Sequence, residues 1–159
     1  MRSFLGDCKR IEELAGRIYQ KLAGDETYAD EVRTVFQKLS DDEKAHALHI
    51  DLVLQADEKE LDVTPLISDE KLDAVLTTAE YLLRKVEREE LDEETSLRLA
   101  LHLEQEFTRV HINNALFFNN QKLTELFDKL GKEDEEHLNT LKNCLRWWHA
   151  ERKPLLNND

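Results

Sequence analysis

Two stretches of the sequence place a carboxylate three residues before a histidine, in the middle of an otherwise apolar row. The first is Glu43 with His46, and the second is Asp134 with His137. Three residues are just under one turn of an α-helix, so both side chains of each pair project from the same face. A single pair of this kind is more often found on a solvated surface. A buried pair would need a partner, because carboxylates and histidines are costly to bury alone.

The two pairs belong to an internal repeat. Residues 36–46 align with residues 127–137 at a constant offset of 91, and both copies carry Phe, Leu, a carboxylate and His at equivalent places. Both histidines are therefore expected on the core face of a helix. The shared register favours one common buried site over two unrelated surface pairs.

A second part of the repeat lies upstream in each half. Glu12 and Tyr19 align with Glu104 and His111 at an offset of 92. Both glutamates lie beside apolar residues, so each belongs to a core face or to its edge. His111 follows Glu104 by two helical turns on the same face, which makes His111 a further candidate for the site.

Together these residues form a candidate site for two metal ions. A glutamate from each of two helices and a carboxylate–x–x–His pair from each of two others is the ligand set of di-iron and di-manganese bundles. Two imidazoles favour iron, manganese or zinc over magnesium or calcium. Asp134 reaches one methylene less than Glu43, and Glu133 could replace it or share its role. The predicted metal ligands are Glu12, Glu43, His46, Glu104, Asp134 and His137.

Four long segments of helical periodicity carry these residues, and a fifth segment lies between the second and the third. Short connections within the first and the last pair predict antiparallel hairpins, and the long middle connection predicts one crossover. Ser68 is expected to cap the crossover helix, which should lie against the side of the bundle. The sequence therefore predicts an all-α fold, a four-helix bundle with a long, helix-containing crossover between the second and third bundle helices. The expected bounds are residues 5–23, 29–56, 92–118 and 121–150 for the bundle and 69–89 for the crossover helix.

The composition favours a single helical domain over residues 1–159. The chain has 4 Gly and 2 Pro in 159 residues, too few turn residues for a β-sandwich or barrel. Its net charge of −13 repels phosphate groups, so we expect neither nucleic acid nor an anionic membrane as a partner. The acidity could attract cations, or it could serve only to keep the protein soluble.

We expect the protein to be cytoplasmic. No apolar run approaches the roughly 20 residues that a membrane helix needs, and residues 1–7 lack the apolar stretch and cleavage site of a secretory signal. Cys8 and Cys144 form no CxxC pair. They could be joined in a disulfide, but reduced thiols are the preferred interpretation.

With these motifs the chain resembles the ferritin-like superfamily and, within it, the rubrerythrin-related bundles, over essentially its whole length. The resemblance implies a di-iron centre that hydrogen peroxide or dioxygen oxidises and that an unknown electron donor reduces again. The sequence departs from the family pattern in four respects. Asp134 begins the second motif in place of Glu, and His111 stands where Tyr is expected. Phe107 occupies the place of an extra carboxylate found in peroxide-reducing rubrerythrins, and the CxxC pairs of a rubredoxin module are lacking.

Three functions stay open at this level. The preferred hypothesis is an oxidoreductase, of peroxidase or ferroxidase type, that reduces hydrogen peroxide or dioxygen at two iron ions, with manganese or zinc as alternative metals. The alternatives are a metal-binding bundle without turnover and a metal-free helical interaction module. Trp147 and Trp148 are expected to pack at the end of the fourth segment or between two copies, and we expect a homodimer.

Overall fold

The computed structural model describes residues 2–55, 67–115 and 120–156 of the chain. Within these three ranges the backbone forms helices and no strands, so the prediction of an all-α fold is confirmed. A π-helical turn, Trp148–Arg152, joins the last two helices. The helices are α1 (Arg2–Ala23), α2 (Asp30–Leu54), α3 (Asp69–Arg88), α4 (Glu93–Ala115), α5 (Gln121–Trp147) and α6 (Lys153–Leu156).

The five long helices form the predicted bundle with one crossover. Helices α1 and α2 pack along each other, as do α4 and α5, and the two hairpins meet through α2 and α5. The crossover helix α3 lies along α1 and also contacts α4. Ser68 caps α3 as predicted, since its side chain accepts a hydrogen bond from the backbone N–H of Lys71. The predicted loop around Pro65, and the predicted helix ends at Ala56 and residues 116–118, lie outside the described residues.

The core is a continuous apolar layer to which all five long helices contribute. Its largest members include Phe36, Phe107 and Phe127, which have no exposed surface. Burying one such side chain contributes roughly 1.5–3 kcal/mol. This apolar layer surrounds the polar residues that interrupt the helix faces.

Small residues let the helices of each hairpin approach closely near the middle of the bundle. A Cβ atom at Gly16 of α1 would lie 3.5 Å from the Cβ of Glu43 and 3.6 Å from the carbonyl oxygen of Ser40. The Ser40 hydroxyl donates to the Gly16 carbonyl at 2.9 Å. A Cβ at Gly131 of α5 would lie only 2.8 Å from the Ile112 side chain of α4. Both contacts lie within four residues of a predicted metal ligand.

The C-terminal end of α5 is tied to the start of α4 through Glu93, which is 5 % exposed. The carboxylate of Glu93 accepts from Trp148 Nε1 at 2.7 Å and from Arg152 Nε at 3.1 Å. It also accepts from the backbone N–H of Ala29, at the start of α2. Helical structure continues beyond the predicted end near residue 150, through Pro154, because proline is tolerated in the first turn of a helix. None of the described helices is long and apolar enough to cross a membrane.

Candidate metal centre

The six predicted ligands lie together in the middle of the bundle, and none is more than 2 % exposed. Each of the four bundle helices supplies at least one of them. Helix α1 carries Glu12 and α4 carries Glu104, while α2 and α5 carry the two carboxylate–x–x–His pairs. The residues that interrupt the apolar rows are therefore core residues, and the surface interpretation of these pairs is wrong.

Five of the six side chains form two groups that share one carboxylate. The groups are Glu12, Glu43 and His46, and Glu43, Glu104 and His137; in each, one ligand atom per residue lies within 4.8 Å of the others. The two oxygens of Glu43 face different histidines. Oε2 lies 3.1 Å from His46 Nδ1, and Oε1 lies 3.2 Å from His137 Nδ1. Glu43 thus lies between the two histidines and is the carboxylate common to both groups.

Glu12 is the second carboxylate of the group that contains His46, and Glu104 is the second carboxylate of the group that contains His137. Oε2 of Glu12 lies 3.3 Å from His46 Nδ1, and Oε2 of Glu104 lies 3.4 Å from His137 Nδ1. The imidazole rings of His46 and His137 are stacked, with their centroids 5.6 Å apart. Each group therefore offers two carboxylates and one imidazole nitrogen, a donor set that suits iron, manganese or zinc.

Several buried polar atoms of these residues make no hydrogen bond of normal geometry among the described residues, although most of them lie within ion-pair distance of one another. An unpaired buried polar group costs about 1–3 kcal/mol, so such a cluster is unusual in a stable core. Two cations held between the groups would satisfy the atoms that belong to Glu12, Glu43, Glu104 and His137, and these residues therefore fit a pair of metal ions. The buried atoms without a hydrogen bond are both carboxylate oxygens of Glu12, Oε1 of Glu43, Oε2 of Glu104, Oδ1 of Asp134 and Nδ1 of His137.

The outer nitrogen of each histidine meets a carboxylate from the opposite hairpin. Nε2 of His137 lies 3.2 Å from Asp42 Oδ2, and Nε2 of His46 lies 3.0 Å from Glu133 Oε2. The contact of His137 with Asp42 is a hydrogen bond, and a hydrogen bond of this kind holds the proton on Nε2 and leaves the Nδ1 lone pair for a metal ion. The contact of His46 with Glu133 is an ion pair without hydrogen-bond geometry. Glu133 belongs to neither ligand group and instead faces His46. The sequence contains a signal for this arrangement, because each motif carboxylate is preceded by an acidic residue in both repeats.

Asp134 is the one predicted ligand that joins neither group. Its Oδ2 lies 2.6 Å from Nδ1 of His111, and Nε2 of the same ring lies 3.0 Å from Oε1 of Glu12. His111 is therefore part of the buried cluster, as its register suggested. The equivalent residue of the first repeat, Tyr19, donates its hydroxyl to Oε1 of Glu104 at 2.5 Å.

The carboxylates govern the protonation of the three buried histidines. Burial opposes the charged form of His46, but Glu12 and Glu43 outweigh it and raise the pKa to about 11. Burial likewise opposes the charged forms of His137 and His111. Neighbouring carboxylates outweigh it and raise the pKa of His137 to about 11 and that of His111 to about 10. A metal ion at either group must therefore displace a proton from a histidine, so its binding depends on pH.

The carboxylates themselves titrate differently from one another. Burial acts to raise the pKa of Glu12, but its contacts with Glu43 and two histidines lower it to about 2. Burial, and then the charge of Glu12, raise the pKa of Glu43. Burial and the charge of Glu43 raise the pKa of Glu104, and burial raises that of Asp134 against the attraction of His111. In the absence of metal the centre thus holds several protons, which two cations would replace.

The two cysteines do not contribute ligands to this centre. Cys8 and Cys144 are both buried free thiols, so the disulfide alternative is wrong. Burial, and then the charge of Glu12, raise the pKa of Cys8. Burial also raises the pKa of Cys144, to about 11. Neither thiol is disposed to form a thiolate, and neither is part of the two ligand groups.

Comparison with protein families places the chain in a known group. A family model described as Rubrerythrin matches residues 3–145. These residues include all six predicted ligands together with Asp42, His111 and Glu133. No curated protein and no solved structure matches the chain.

Proposed function

The chain belongs to the rubrerythrin family, and on that premise we propose that it is a di-iron carboxylate protein that reduces hydrogen peroxide or dioxygen. One observation supports this most strongly. Glu43 lies between two histidines and is common to two buried ligand groups, which is the arrangement that a pair of cations sharing a carboxylate requires. Iron is the proposed metal, with manganese and zinc as alternatives, because the donor set suits all three.

The protein would hold the two ions through five side chains. Glu43 would bridge them, and Glu12 with His46 and Glu104 with His137 would complete the two positions. Tyr19 would hold the carboxylate of Glu104 in place through its hydroxyl. The six predicted ligands are at most 2 % exposed, so bulk water would be excluded and the charges of the ligands would act at low dielectric.

Two ferrous ions would supply the two electrons that, with two protons, convert one hydrogen peroxide molecule into two water molecules. The role of the chain is to hold the ligands fixed while the charge at the centre changes. Asp42 and Glu133 contribute to this by fixing the rings of His137 and His46 from outside.

Phe107 bears on the choice of oxidant. It lies three residues after Glu104, is completely buried and cannot bind a metal. Peroxide-reducing relatives carry an additional carboxylate at this place, which enlarges the anionic ligand set. We therefore propose that the centre reacts with dioxygen as well as with peroxide, without strong preference for either.

Stopped-flow oxidation of the anaerobically iron-loaded protein tests this function. We expect both oxidants to oxidise the bound iron, with rate constants that differ by less than a hundredfold, or about 2.7 kcal/mol in barrier height. A larger preference for peroxide would show that Phe107 does not decide the choice. Iron that binds but is not oxidised by either reagent would identify a metal-binding bundle without turnover, and failure to bind any metal would identify a helical interaction module.

A further inference from the structure

The two repeats place different residues against equivalent carboxylates. Tyr19 of α1 and His111 of α4 occupy equivalent positions. Each contacts a glutamate of the other hairpin, Glu104 in the case of Tyr19 and Glu12 in the case of His111. The Tyr19 hydroxyl donates to Glu104, and His111 Nε2 lies 3.0 Å from Oε1 of Glu12. A phenol has a single polar atom for such a contact. An imidazole has a second nitrogen, and in His111 that nitrogen lies 2.6 Å from Oδ2 of Asp134.

This additional contact distinguishes Asp134 from Glu43, its counterpart in the first repeat. Glu43 presents one oxygen to each metal-facing histidine. Asp134 presents its Oδ2 to His111, its Oδ1 makes no hydrogen bond among the described residues, and it belongs to neither ligand group. Asp134 and His111 are each about 1 % exposed or less, and an ionic hydrogen bond is short and strong in such an environment. Asp134 is also one methylene shorter than Glu43, so its carboxylate reaches less far from the backbone.

The backbone of the second hairpin brings His111 within reach of Asp134. Gly131 lies one helical turn before Asp134, and a Cβ atom at Gly131 would lie 3.8 Å from the Cβ of His111 and 2.8 Å from the Ile112 side chain. A side chain at residue 131 would therefore require the Ile112 side chain of α4 to move. The equivalent residue in α2 is Ser40. The second repeat therefore differs from the first at three linked positions: a glycine, a histidine and a shortened carboxylate.

We propose that His111 holds Asp134 away from the metal pair, so that Glu43 is the one carboxylate shared by the two metal positions. The inference rests on the proposed metal centre and concerns which residues complete it. His111 then acts as a positioning residue, and Asp134 is its partner and not a ligand. Replacing His111 by the tyrosine of the other repeat releases Asp134 to bind metal.

Anaerobic titration with cobalt(II) alone tests this proposal, since the visible absorption of cobalt reports the number and type of its ligands. The variants are Asp134→Asn in the natural chain, His111→Tyr, and the two combined, with Glu43→Gln as the matched control at the equivalent carboxylate. We expect Asp134→Asn in the natural chain to change each dissociation constant by less than threefold and to leave the cobalt spectrum unchanged. Glu43→Gln should weaken binding at both positions by at least tenfold.

His111→Tyr should change the cobalt spectrum and tighten binding by at least tenfold, and adding Asp134→Asn should remove that gain. If Asp134→Asn weakens binding in the natural chain tenfold or more, Asp134 is a ligand and the proposal is overturned. It is also overturned if folded His111→Tyr shows no gain that depends on Asp134. Far-UV circular dichroism establishes folding, and His111→Phe, which can donate to neither carboxylate, replaces His111→Tyr if the latter does not fold.

The same titration separates this inference from the proposed function. If the natural chain binds two cobalt ions but loses affinity on Asp134→Asn, only the role of His111 is refuted. If the natural chain binds no cobalt, the metal centre itself is refuted, and the inference with it.

Discussion

Saturation of the two ligand groups with metal should stabilise the folded protein by a calculable amount. A ligand that binds only the folded state, at a free concentration one hundred times its dissociation constant, raises the free energy of unfolding by about 2.7 kcal/mol. The structure has two groups per chain, so two independent ions at that excess contribute about 5.4 kcal/mol. For a chain of this size each kcal/mol corresponds to about 2–4 °C in melting temperature, and we therefore expect a rise of roughly 10–20 °C.

Thermal unfolding followed by circular dichroism measures this shift. The melting temperature of the protein with excess manganese(II) or zinc(II) is compared with that of the protein treated with a chelator. The matched control is Glu43→Ala, which removes the carboxylate shared by both groups and should abolish most of the rise. A control at an exposed carboxylate, Glu90→Ala, should keep the full rise. An equal melting temperature with and without saturating metal would refute the existence of a metal site between the two hairpins. An undiminished rise in the Glu43→Ala variant would place the metal elsewhere.

Three further predictions concern individual residues of the centre and the end of the bundle. His46→Ala should reduce bound metal, measured by elemental analysis, to less than one ion per chain, whereas His49→Ala should not; two ions retained by folded His46→Ala would contradict the assignment of α2. Burial lowers the pKa of His46 and His137, but the neighbouring carboxylates outweigh it and raise the pKa of each to about 11, so each bound ion must release a proton below that pH. Metal affinity should therefore increase about tenfold per pH unit for each proton released, and an affinity independent of pH between 6 and 9 would refute this. Glu93→Ala, which leaves the Trp148 indole N–H without its acceptor, should lower the free energy of unfolding in urea by about 2–3 kcal/mol, and an unchanged value would show that this contact contributes nothing.

The sequence predicts much of this architecture because the same buried polar residues recur at equivalent positions of both repeats. Glu43 and His46 share their register with a second carboxylate–x–x–His pair, and only two opposed helices can bury both pairs. The same argument applies to Glu12 and Glu104, which would be unstable in the core alone. The helices and the position of the candidate centre follow from this pattern, since buried charge must be placed against a common partner.

What the sequence does not reveal is how equivalent residues use their side chains. Asp134 aligns with a bridging glutamate, yet its contact with His111 depends on how closely α4 approaches α5 at Gly131. The pairing of Asp42 with a histidine of the opposite hairpin depends in the same way on the spacing between hairpins. Such contacts are set by distances of a few tenths of an ångström, and helical periodicity does not define these distances.

The number of iron ions bound per chain tests the central claim most directly. The chain should be purified without added metal, reduced, loaded with iron(II) under anaerobic conditions, freed of unbound metal and analysed for iron and protein. We expect two iron ions per natural chain and less than one in the Glu43→Ala variant, since both ligand groups contain that residue. A natural chain that binds no iron, or that binds the same amount as the variant, would contradict the di-iron centre.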